Sequence, residues 1–170
     1  MAIGAMRPLI CLCFLWHVGV IGNLQADTVS DSDYCGDETA MTFPGWREWT
    51  GVTTKPIISA AHNNNWVGVY VDELAKDTYL AASSPYPICA KVIKPIYNDA
   101  YGASVRKLTI MVKMHSGYDP ENADWWYGDY DAFGTTVRKH GKLAECITCH
   151  KQAAETDYLF SREVVTAAKE

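Results

Sequence analysis

The sequence predicts an α+β domain, and three observations carry that expectation. Runs rich in β-forming residues at 66–71, 90–97 and 104–114 read as strands. Asp72 is placed to cap a helix running to about Ala81, and residues 151–170 have helical composition. Pro85, Pro87 and Pro95 interrupt the middle of the chain, which excludes a bundle of long helices.

Residues 1–26 read as a secretory signal. Arg7 supplies the basic start, Pro8 to Ile21 an apolar run, and Leu24-Gln25-Ala26 a small residue before a cut after Ala26. The apolar run is short for a transmembrane helix. Residues 27–42 form a flexible acidic lead with Asp27, Asp31, Asp33, Asp37 and Glu38. Residues 43–170 are long enough for a single domain with its own core.

Within that domain, Phe43-Pro44-Gly45 opens a short helical stretch around Trp46 to Trp49. A loop with His62 and three asparagines precedes the first strand. Ser83 to Pro87 breaks the capped helix. In the third run, Leu108, Ile110, Val112 and Met114 alternate with Lys107, Thr109, Met111 and Lys113, so an apolar face opposes a more polar one. Ser116 to Asn122 is loop chemistry, Trp125-Trp126-Tyr127 begins another strand, and Gly134 to Gly141 connects to the C-terminal segment.

The formal net charge is −5, and loss of Arg7 with the signal makes it more negative. Neither nucleic acid nor an anionic membrane is implied as partner. Of six cysteines, Cys11 and Cys13 leave with the signal. Cys35 and Cys89 are either one disulfide or two free thiols.

The remaining two belong to Cys146-Ile147-Thr148-Cys149-His150, which reads CxxCH. This is the attachment signature of a c-type haem: both thiols add across the vinyl groups and His150 becomes the axial iron ligand. One covalent haem is expected, in keeping with export to the periplasm. Residues 151–170, expected to be a helix starting at the motif, contain neither Met nor His. A sixth ligand therefore comes from upstream or is missing. Met111, Met114, His62, His115 and His140 are the candidates; core packing for Met114, edge packing for Met111 and solvation for the histidines favour an open, five-coordinate iron.

Lys94 is the other residue singled out. Strand alternation in Val92-Ile93-Lys94-Pro95-Ile96 puts it with Val92 and Ile96 on an apolar face. A lysine there either snorkels to the rim or serves a specific purpose. Pro95 implies an edge strand or a bulge.

Several segments, in order, resemble the cytochrome P-460 family, which includes cytochrome c′-beta. They are Trp46-Arg47-Glu48-Trp49, Trp66 to Val71, Tyr86-Pro87 through Lys94, Met111-Val112-Lys113, Gly117 to Glu121, Asp124 to Tyr127, and Cys146 to His150 with Thr156-Asp157. The resemblance spans about residues 43 to 161. It implies a mainly antiparallel β-sheet flanked by helices, a C-terminal haem-binding CxxCH helix and a homodimer. In the P-460 enzymes a lysine at the place of Lys94 bonds covalently to the haem edge, and hydroxylamine is oxidised at the iron. This chain departs from the family at Ile88-Cys89, where Asp-Gly is usual, and at Pro95, where Glu is common. It also has no Asp or Glu between Ser104 and Tyr118, where characterised members keep a carboxylate over the iron. Three functions stay open. One is an enzyme oxidising hydroxylamine or a related nitrogen compound, with Lys94 as the cross-link and a periplasmic electron acceptor as partner. The second is a non-enzymatic binder of nitric oxide behind an apolar wall expected at Phe43, Trp66, Tyr97 and Trp125. The third is an electron carrier with Met111, Met114 or His62 completing the iron.

Overall fold

The computed structural model describes Met1 and residues 35–169. The expected signal, with Arg7 and Ala26, and residues 27–34 of the acidic lead lie outside the described residues. Within them the strands are β1 (Thr50–Gly51), β2 (Ile57–Ser59), β3 (Asn65–Val67), β4 (Tyr70–Val71), β5 (Lys91–Tyr97), β6 (Val105–Lys113), β7 (Trp125–Tyr130) and β8 (Val137–Gly141). The helices are α1 (Glu73–Leu80), α2 (Ala144–His150) and α3 (Ser161–Ala167). One sheet joins the strands in the order β1-β4-β5-β6-β7-β8, with β3 also on β5 and β2 outside it. Every pairing is antiparallel, so the α+β expectation holds.

The expected strand at 66–71 is divided at Gly68 and Val69. A β-carbon on Gly68 would sit 3.0 Å from the Tyr97 hydroxyl, and Val69 turns to bond Val52 and Thr53. Asp72 caps α1 as expected: one carboxylate oxygen accepts from the N–H groups of Ala75 and Lys91, both at 3.0 Å, tying the helix to β5. The stretch from Gly134 is more than a connector, since Val137–Gly141 pairs with β7. The helix expected after the CxxCH motif is broken. A 3-10 turn, Lys151–Thr156, ends at Asp157 and Tyr158, whose φ values of 51° and 68° are left-handed, and α3 follows.

Alternation along β5, β6 and β7 gives the sheet two faces. Ile93, Leu108, Ile110, Val112, Met114, Trp126 and Tyr130 pack on one side with Met41, Phe43 and Trp46. The described part of the acidic lead belongs to this layer. Cys35 is disulfide-bonded to Cys89, and the Tyr130 hydroxyl donates to the Met41 carbonyl at 2.6 Å. Gly128 shares this face, where the neighbouring Trp126 and Tyr130 rings leave no room for a side chain. On the other face Val92, Met111, Trp125 and Tyr127 meet Tyr79, Ile147, Leu159 and Val164. This second layer contains the cavity. Among the described residues no helix is long and apolar enough to cross a membrane.

Candidate functional site

A cavity of about 720 Å³ lies between the second sheet face and the C-terminal arm. That is within the range of roughly 300–1,000 Å³ usual for ligand pockets. Residues directly paired across antiparallel strands project to the same side, so register dictates the lining. One row is Val92, Met111 and Tyr127. The next is Lys94, Thr109, Asp129 and Lys139, running across four strands. All seven line the cavity. The face of β6 that reads as polar in sequence is therefore its cavity face.

On α2, Cys146, Cys149 and His150 stand at i, i+3 and i+4, the spacing that puts three side chains on one helix face. All three line the cavity opposite the sheet. His150 Nδ1 is 2.6 Å from the carbonyl of Tyr158, so it donates and the ring's other nitrogen is left free as a ligand. Burial, then the nearby Lys94, pushes His150 down to about 4, so the imidazole is neutral at pH 7. Burial also raises the Cys146 thiol. Tyr127 approaches the His150 ring at 5.6 Å, and its buried hydroxyl has no hydrogen-bond partner.

Lys94 reaches into the cavity rather than snorkelling to solvent, and burial lowers it from 10.5 to about 8. Asp129 is 8 % exposed; one oxygen meets Lys107 Nζ at 2.6 Å, while the other lacks a hydrogen bond. The resemblance to the P-460 family implies a carboxylate on β6, where this chain has none. Alternation along Trp125, Tyr127 and Asp129 was the available signal: the acid is on β7, one strand over.

Of the five sixth-ligand candidates, two line the cavity. Met114 is in the opposite layer, His140 stacks on Trp126 there, and His115 bonds its neighbour's carbonyl. Met111 is 6 % exposed on the cavity side, not at an edge. His62 is half-buried rather than fully solvated. Asn63 and Asn64, both left-handed, turn the chain from β2 to β3 and hold His62 at the cavity, where burial pushes it down to about 3. The expected apolar wall is overturned, because Phe43, Trp66, Tyr97 and Trp125 all lie off the lining. Ile57, Val67, Val92, Met111, Leu159 and Val164 supply it instead.

These residues fit a haem. Among the described residues no cluster of three or more His, Cys, Asp or Glu side chains would hold a bare ion. One ligand-ready imidazole beside two thiols suits an iron whose equatorial nitrogens come with a macrocycle. Residues 44–161 match the family model described as cytochrome P460. No curated protein matches the chain.

Proposed function

Because this chain belongs to the cytochrome P460 family, whose members are haem cytochromes, we propose that it is an exported mono-haem c-type cytochrome that binds and oxidises hydroxylamine or a related small nitrogen compound. The carrying observation is the polar row Lys94, Thr109 and Asp129 facing the same cavity as Cys146, Cys149 and His150.

Cys146 and Cys149 would hold the haem by thioether bonds, and His150 would ligate its iron. The haem, when bound, supplies a redox-active iron with an open position for a nitrogen ligand. Lys94 would hold the haem edge, in the place of the cross-linking lysine of the P-460 enzymes; with the amine near 8, a usable neutral fraction exists at mildly alkaline pH. Oxidising hydroxylamine removes protons as well as electrons. Asp129, whose carboxylate pairs with Lys107 at 2.6 Å and faces Arg138 at 3.9 Å, is the acid of the polar row that would take such a proton. Ile57, Val67 and Met111 keep bulk water away. The electrons leave to a periplasmic acceptor, and the protein works as a homodimer in the periplasm.

The apolar wall favours a second reading, a nitric-oxide-binding cytochrome without the Lys94 bond. An absorption spectrum of the matured protein, with an intact mass, separates the two. A red-shifted ferrous Soret band with one extra haem bond, lost in Lys94→Arg while haem stays attached, supports the enzyme. An ordinary high-spin spectrum, unchanged in that variant, supports the gas binder. Sharp low-spin bands would sink both and leave an electron carrier using His62 or Met111.

A further inference from the structure

Lys113 and Asp157 form a buried ion pair outside the cavity. The ammonium contacts both carboxylate oxygens at 2.7 Å, and its third hydrogen bond goes to the Ala123 carbonyl at 2.8 Å. Their side chains are 12 % and 8 % exposed. The rest of the carboxylate is also satisfied: the Tyr86 N–H donates to one oxygen at 2.9 Å and the Trp125 indole to the other at 3.3 Å. The same indole donates to the Asp157 carbonyl at 2.8 Å. A charge pair this deep is costly to assemble and is tolerated because each of its bonds is made.

Its position gives it a consequence. Asp157 and Tyr158 are successive left-handed residues, a conformation that persists only when the surroundings enforce it. The Lys113 clamp enforces it at Asp157, and the very next carbonyl, that of Tyr158, receives His150 Nδ1 at 2.6 Å. Lys113 is itself firmly placed. Its carbonyl accepts from the Cys89 N–H at 2.7 Å and its N–H donates to Ala90 at 2.9 Å, beside the Cys35–Cys89 disulfide.

We infer that Lys113 and Asp157 are positioning residues for the axial histidine, setting the donor strength of His150 by holding the Tyr158 carbonyl against its Nδ1–H. The inference rests on the haem reading above. A short hydrogen bond from Nδ1 makes the imidazole more basic, strengthens its bond to iron and favours the ferric state. Releasing the clamp lengthens that hydrogen bond and reverses each effect.

The test compares matured holoprotein with its Asp157→Asn, Lys113→Met and Lys113→Arg variants. The readouts are the iron–imidazole stretching frequency of the ferrous protein and the reduction midpoint potential. Asp157→Asn and Lys113→Met are expected to lower the frequency and raise the potential, and Lys113→Arg to return both most of the way. Haem attached normally with both readouts at wild-type values overturns the inference and leaves the haem reading standing. A wild type that matures without haem overturns both. If Asp157→Asn does not accumulate, Lys113→Met decides, since the Tyr86 and Trp125 bonds to Asp157 remain. Failure of all three variants to fold assigns the pair to stability alone and overturns the inference.

Discussion

Lys94→Met is expected to stabilise the haem-free chain at neutral pH, against the usual direction for a substitution on a cavity wall. In the folded chain burial holds the Lys94 ammonium down to about 8, against 10.5 when exposed. Below pH 8 the residue is protonated in both states, and folding bears the full desolvation cost, about 3 kcal/mol at about 1.4 kcal/mol per pKa unit. Between pH 8 and 10.5 the unfolded chain binds more protons than the folded one, so stability rises with pH across that window. Methionine keeps the length of the side chain and removes the charge. The variant is therefore expected to exceed wild type by about 3 kcal/mol at pH 7, with the gap closing by pH 10.5. Denaturant unfolding of protein made without haem attachment, at both pH values, measures it. Titrations elsewhere in the chain cancel in the difference. A gap of equal size at pH 7 and pH 10.5 would refute the reasoning, because it would come from packing rather than from a buried ammonium.

Three other outcomes are expected. Asp129→Asn should reduce hydroxylamine turnover by roughly 100-fold or more, as loss of a proton acceptor does; wild-type turnover in the variant would exclude the carboxylate from chemistry. Replacing Cys35 and Cys89 together by serine opens a link between residues 54 apart and should cost about 4 kcal/mol in denaturant unfolding, from the chain entropy regained. Gly128→Ala would put a β-carbon 2.6 Å from Tyr130 and 2.7 Å from Trp126, and thermal melting should show a loss of about 1–3 kcal/mol.

Much of this protein is legible in the sequence because the signals are local. The Asp72 cap and the alternation along β6 each lie within a few residues, and each led to the element observed. Lys94 was placed with Val92 on one strand face by a period of two, and both line the cavity.

What failed depends on neighbours far along the chain. Read alone, residues 151–170 look like one helix. They break at Asp157, which is left-handed and ion-paired to Lys113 on β6. Thr109 and Lys107 read only as a polar face, since alternation says which residues share a side and nothing about what covers it. His62 reads as solvated, yet the left-handed turn at Asn63 and Asn64 leaves it half-buried on the cavity wall. By itself, then, the sequence determined the α1 cap, the long central strands and the facing of Lys94, all of which follow from spacing along one segment. Only the tertiary structure decided that Asp129, from β7, joins Lys94, from β5, in one row. Strand register brings together residues 35 positions apart, and register is set by the packing of whole strands.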